Sequence, residues 1–247
     1  MLRSITSIMT LILVGVLLIP IVMLGLQLTG HPTRPVVDRV INQLPLRWTS
    51  AAGLRCAEPV VVGTWPPVKG ERFPDLVLTD QTGQTTRLAD FAGKIILVEY
   101  AAIPCDGCQA FAGGNQRGGY RGTVQKGLDS IESYARRYAG VTLGSEDVVF
   151  VQVLLYGNSL GSPTAAEVAG WAKHFGMNRD ANQIVLRGDA SMLSDRTYAM
   201  IPGFHLIDRD FVLRSDSCGH RPVDNLYEDL LPMLGRLAAS DGPTLRP

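Results

Sequence analysis

The chain has 247 residues, 23 basic and 23 acidic side chains, a formal net charge of zero, and 46% apolar against 19% charged residues. That balance excludes a disordered chain, and it leaves neither a broad positive field nor a basic run interleaved with aromatics to hold nucleic acid. Four cysteines, Cys56, Cys105, Cys108 and Cys218, are too few to build a disulfide scaffold in a chain this long, so an apolar core has to carry the fold.

At the amino terminus the stretch from Ser4 to Gly30 carries no charge and centres on LILVGVLLIPIVMLGL, Leu11 to Leu26. It exceeds the ~20 residues that cross the hydrocarbon layer as a helix, and a core helix of that length is rarely apolar on every face. Pro20 would kink such a helix without forbidding it. The exit at Leu28-Thr29-Gly30 is a poor cleavage site, so residues 1–30 are expected to be an uncleaved transmembrane anchor. Arg3 precedes it and Arg34, Arg39 and Arg47 follow, an asymmetry that opposes simple positive-inside counting.

Residues 31–70, with six of their positions at Pro32, Pro35, Pro45, Pro59, Pro66 and Pro67, are expected to form a tether with a short helix over Val36 to Leu44. Residues 71–240 are expected to form one soluble domain and residues 241–247 a tail. In the domain, FPDLVLTDQTGQTTRLADFAGKIILVEYA predicts a hairpin around Asp80-Gln81-Thr82-Gly83, then a buried strand from Ile95 to Ala101. Helical spacing covers Thr123 to Tyr138, and the apolar run Asp147 to Tyr156 suits a central strand. A helix from Thr164 to Phe175 opens on a capping signal, with Glu167 three residues after Thr164. Gln183 to Leu186 reads as a weaker strand. Gly203 to Asp208 and Phe211 to Ser215 flank a turn, and Val223 to Ala239 closes the chain as an amphipathic helix interrupted by Pro232. Strands alternating with helices, then a hairpin and a helix, describe an α/β fold with mixed strand direction.

Directly after the buried strand comes Pro104-Cys105-Asp106-Gly107-Cys108. A two-residue gap at a helix start lets the two sulfurs meet in a disulfide, while amide N–H groups favour the first cysteine as a thiolate. Cys105 is then the nucleophile and Cys108 the resolving thiol. A structural zinc half-site or an inert disulfide is the bland alternative. Zinc needs four ligands, there is no second CxxC, and His31, His174, His205 and His220 form no close pair at ligand spacing. Cys56 and Cys218 could pair with each other or remain separate buried thiols.

On these residues the chain, over about Phe73 to Leu237, resembles the thioredoxin superfamily, and within it the redoxin and TlpA/ResA-like membrane-tethered oxidoreductases. The features that carry the resemblance are the proline-led leading strand, the Gly turn, Leu88-Ala89-Asp90-Phe91, Gly93-Lys94 and the cysteine pair. It implies a thioredoxin-like mixed sheet flanked by helices. Glu99, six residues before Cys105, stands where that superfamily carries a buried acid assisting proton transfer at the resolving cysteine; a carboxyl there should have a raised pKa. A solvated strand end or a salt bridge is the other reading of Glu99. Ile201-Pro202, before FHLIDRDFVL, resembles the cis-proline loop that faces the cysteine pair and leaves backbone groups free to align a substrate strand. Pro104, Ile201 and Pro202 are therefore the expected substrate-binding residues. Ile103-Pro104 replaces the usual Trp before the first cysteine, and Gly113 to Gly122 is expected to end or interrupt the active-site helix.

The resemblance further implies a domain on the periplasmic or other extracytoplasmic side of the cytoplasmic membrane. It implies reduction of protein disulfides, with electrons drawn from a membrane or soluble redox partner and apocytochrome c among the clients. No cofactor and no metal are expected. An SCO-like copper chaperone is an alternative on the same scaffold, although its CxxxC spacing differs and His205 or His220 would have to supply nitrogen. A peroxiredoxin-like peroxidase fits less well, since Ala102 stands three residues before Cys105 where a Thr or Ser would be needed. A third alternative, an interaction module with the pair as a mere staple, leaves Glu99 and Pro202 unexplained.

Overall fold

The computed structural model describes residues 60–240. The expected anchor, the short helix at Val36 to Leu44, Cys56 and the tail lie outside the described residues. Among the described residues no helix is long and apolar enough to cross a membrane.

The described residues begin with a three-stranded antiparallel sheet: β1 (Val60–Val62), β2 (Asp75–Thr79) and β3 (Thr85–Arg87). β1 falls within the span expected as a tether. The residues after it pack on the domain, since Pro66 and Pro67 are buried and the Trp65 indole donates to the Met192 carbonyl at 3.3 Å. The β2–β3 turn is held by buried Asp80, whose carboxylate accepts from Thr82 N (2.8 Å), Gln84 N (3.1 Å) and Arg179 Nε (2.5 Å).

The main sheet has five strands in the order β6-β5-β4-β7-β8. β4 (Ile95–Ala102) is central, and β5 (Val148–Tyr156) lies parallel to it with β6 (Gln183–Arg187) parallel beyond. On the other side β7 (Gly203–Ile207) runs antiparallel to β4, and β8 (Leu213–Cys218) antiparallel to β7. Every residue of β4 and β5 is buried, as near-continuous apolar runs require when a sheet is covered on both faces. Strand alternation sends Ile96, Val98 and Tyr100 into one core with Leu76 and Leu78 of the hairpin. Ile95 and Leu97 enter the other, with Phe204, Leu206 and Leu234. This mixed sheet, with an antiparallel terminal hairpin beside the central strand, is thioredoxin-like.

Among the described residues the α-helices are α1 (Asp106–Phe111), α2 (Gly114–Arg117), α3 (Ile131–Tyr134), α4 (Ala165–Phe175), α5 (Asp195–Tyr198) and α6 (Leu231–Ala239). At α4 the capping box forms in full: Thr164 Oγ1 accepts from Glu167 N, and the Glu167 carboxylate accepts from Thr164 N at 2.7 Å. Gly113, at φ +103°, separates α1 from α2, so the helix is interrupted where glycine alone adopts the backbone readily.

Three expected elements change. The helix over Thr123 to Tyr138 is cut to α3 and a π turn at Ala135–Ala139. Gly127 at φ +81° breaks the earlier half, and extended Ser130 caps the amide of Ser133 instead of continuing a helix. The last helix starts after Asn225, whose side chain accepts from the amides of Tyr227 and Glu228, and a π turn at Leu226–Leu230 leads into α6. Pro232 sits in the first turn of α6. β8 lies two residues later than expected at its start and reaches Cys218, because Phe211 at φ +63° closes the turn.

Candidate active site

Strand β4 delivers the chain to the cysteine pair at the end of the central strand. Pro104 is exposed, Cys105 is half-buried and Cys108 is fully buried. Cys105 has extended backbone and caps α1, its sulfur accepting from the Cys108 amide at 3.3 Å. Both cysteines are free thiols.

The two sulfurs are electrostatically unequal. The Cys108 thiol donating to it, with the amides of Cys108 and Gly107, lowers Cys105 to about 7 against the opposing effect of burial. Burial pushes Cys108 well up, and the thiol's own bond to Cys105 and the nearby Glu99 charge push the same way. At neutral pH the half-buried sulfur is thus part thiolate, and the buried one keeps its proton.

Glu99 is completely buried on β4, not at a solvated strand end and not in a salt bridge. Strand alternation places it on the side of Ile95 and Leu97. Its Oε2 accepts from Gln152 Nε2 at 2.7 Å, and Gln152 Oε1 accepts from the Trp171 indole at 2.8 Å. Its Oε1 has no hydrogen-bond partner among the described residues. Burial raises its pKa to about 8, the Gln152 bond opposing and the Cys105 charge adding. A carboxyl held near neutrality with one vacant oxygen, and close enough to sense both cysteines, can take up and return a proton there.

Pro202 and Cys105 line the same cleft. The Ile201–Pro202 peptide is cis. A methyl group added at Gly107 would lie 3.3 Å from Pro202 Cγ and 4.0 Å from Cys105 Sγ, so glycine permits this close approach. The backbone beside Pro202 is less free than expected: Ile201 N donates to Tyr198 O at 3.2 Å, and Pro202 O accepts from Gly219 N at 3.0 Å. Together Pro104, Cys105, Ile201 and Pro202 border a cleft of about 530 Å³, flanked by the exposed side chains of Tyr198 and Leu160.

Two residues of this region escaped the sequence reading. Gln152 interrupts the apolar run VVFVQVLLY, and that interruption was the available signal, because a polar side chain in a strand buried on both faces needs a dedicated partner. Gln109 gave no comparable signal. Fully buried in α1, it donates to Ile103 O (2.6 Å) and Tyr120 O (2.9 Å) and accepts from Tyr120 N (2.8 Å), clamping the glycine-rich loop beside the pair.

The histidines distribute differently. His220 borders the cleft, His174 bonds Gly118 O at 2.9 Å, and His205 is buried against Tyr100. Among the described residues, the pair does not gather with a third Cys, His, Asp or Glu as a set of possible metal ligands.

No family model matches the chain, and no curated protein matches it. Solved structures similar to it include the thioredoxin domain of a thiol-disulfide oxidoreductase from Bacteroides vulgatus, 13% identical over 68% of this chain and 99% of that one, TM-score 0.42. A thiol:disulfide interchange protein of the thioredoxin family from Chlorobium tepidum is 14% identical over 68% and 98%, TM-score 0.41. Likenesses at this level carry no functional weight, and the thioredoxin-like assignment rests on strand order and pairing.

Proposed function

We propose that the chain is a thiol-disulfide oxidoreductase that reduces disulfides of exported proteins through Cys105 and Cys108. The observation that carries this reading is the asymmetry of the pair: Cys105 is half-buried and caps α1 with its sulfur accepting from the Cys108 amide at 3.3 Å, while Cys108 is fully buried. Two cysteines serving as a staple need no such difference.

In the first step the Cys105 thiolate attacks one sulfur of a partner disulfide. The partner's other sulfur leaves with the electron pair and takes a proton from water, and a mixed disulfide remains. In the second step Glu99 accepts the Cys108 proton, and the Cys108 thiolate attacks Cys105 Sγ. The Cys105–Cys108 disulfide forms and the partner's second sulfur departs as a thiolate that takes a proton from water, two electrons having passed to the partner. A membrane or soluble reductant then restores the pair. The cleft along Pro104, Ile201 and Pro202 receives an extended partner segment, with the flanking Tyr198 and Leu160 offering apolar surface.

The uncharged segment Ser4 to Gly30 supports a single-pass anchor in the cytoplasmic membrane, with the domain on the extracytoplasmic side and disulfides such as that of apocytochrome c among its clients. The reaction is tested by equilibrating the chain in glutathione and dithiothreitol buffers beside Cys105→Ala and Cys108→Ala. A potential below about −220 mV that needs both cysteines supports a reductase. A potential near the strong oxidants would make it a disulfide donor, and no exchange would refute the catalytic reading.

A further inference from the structure

The β7–β8 hairpin gathers a second set of reactive side chains. His205 faces Asp216 across the antiparallel ladder, and Cys218, two residues after Asp216, points to the same side. His205 Nε2 lies 3.1 Å from Asp216 Oδ1. One donor atom from each of His205, Asp216 and Cys218 lies within 4.8 Å of the other two. The ring's Nδ1 lies 3.0 Å from Tyr100 Oη. His205 is 1% exposed, whereas Asp216 and Cys218 are half-buried, so the ring is fixed while solvent reaches the cluster. Tyr100 and Glu99 are consecutive on β4 and point to opposite faces, which separates this cluster from the proton acceptor of the redox pair.

We infer that His205, Asp216 and Cys218 form a binding site for a divalent cation of the zinc class. The donor set is nitrogen, carboxylate oxygen and sulfur, which suits a borderline ion; calcium and magnesium prefer oxygen alone. A cross-strand pair with a third residue at i+2 presents three donors on one side, and a water would complete the four positions of a tetrahedral ion. Tyr100 supplies the outer partner that a ligating histidine uses: with the ring proton on Nδ1 and donated to Tyr100 Oη, the Nε2 lone pair turns to the ion. On binding, the Nε2···Asp216 hydrogen bond gives way to two metal bonds, and the Cys218 thiol proton leaves to solvent.

The site would brace the redox cleft from behind. Cys218 pairs with Gly203, the residue after Pro202, and Gly219 N holds Pro202 O. A bound ion would therefore pin both strands next to the proline that lines the redox cleft with Cys105.

The test uses the full chain carrying Cys56→Ser, Cys105→Ser and Cys108→Ser, so that Cys218 is the single thiol. It is titrated with Co(II), reading the sulfur-to-cobalt charge-transfer band, and the cobalt is then displaced with Zn(II). The site predicts one cobalt per chain with a thiolate band that vanishes on adding Cys218→Ser. Half-buried Asp216→Asn, checked for folding by circular dichroism, should weaken zinc by at least about tenfold, and Tyr100→Phe by about tenfold through loss of the outer partner. His205 is too deeply buried to vary without risk to folding and is not needed. Cobalt bound without a thiolate band, or zinc affinity unchanged within about twofold by both Cys218→Ser and Asp216→Asn, would overturn the site.

Discussion

Asp80 and Glu99 are both buried carboxyls in the same domain, and their surroundings drive them in opposite directions. Burial alone would raise the pKa of Asp80, but bonds from Thr82, Arg179 and Thr86 outweigh it and hold the group below its ordinary value. Glu99 receives one bond, from Gln152, and burial wins. A carboxylate whose oxygens are all engaged is part of the framework; one left with a vacant oxygen beside two thiols is available for chemistry.

The largest expected effect on stability falls on the framework acid. Asp80→Ala strips the turn of its acceptor and leaves the Thr82 and Gln84 amides unpartnered, costing about 3 kcal/mol by denaturant titration. The Cys105 titration should not move. Glu99→Gln should do the reverse, slowing resolution of a trapped mixed disulfide by about 100-fold at pH 7, since general acid–base groups commonly contribute that much.

The two acids also impose opposite pH dependence. Glu99 is raised from 4.5 to about 8, so the folded state holds a proton that the unfolded state has lost. Its contribution is fully present below pH 4.5 and is lost as pH rises through about 8, a decline that Glu99→Gln should abolish in pH-dependent unfolding. Asp80, lowered from 3.8, contributes above that value and loses its contribution as pH falls through the folded pKa.

Smaller effects sharpen the comparison. Gln152→Leu removes the one bond that favours charged Glu99 and orphans the Trp171 indole. It should shift the pH profile of mixed-disulfide resolution upward and cost about 2 kcal/mol in stability. Thr164→Ala, whose side chain bonds Glu167 and neither of these two acids, should cost about 1 kcal/mol through its lost helix cap and leave exchange rates unchanged.

Features that depend on neighbouring residues could be read from the sequence. The Asp80 turn, the apolar β4 run and the Thr164–Glu167 cap each use interactions spanning a few positions, and all three form. The helix expected over Thr123 to Tyr138 failed because apolar spacing persists through a segment that Gly127 and Ser130 punctuate. Long-range partners were invisible for a different reason. Gln152 meets Glu99 through the parallel β4–β5 register, and His205 meets Asp216 through the β7–β8 register. A one-residue slip in either would turn those side chains to the other face, and sequence spacing does not fix that register.

The most direct measurement is the pH dependence of Cys105 alkylation by iodoacetamide, followed by mass spectrometry of the Cys105 peptide in the reduced chain and in Glu99→Gln. The mechanism predicts an inflection at about 7 in both, with a second near 8 present only while Glu99 can titrate. A single inflection at the ordinary thiol value of 9.0, identical in the two proteins, would contradict it.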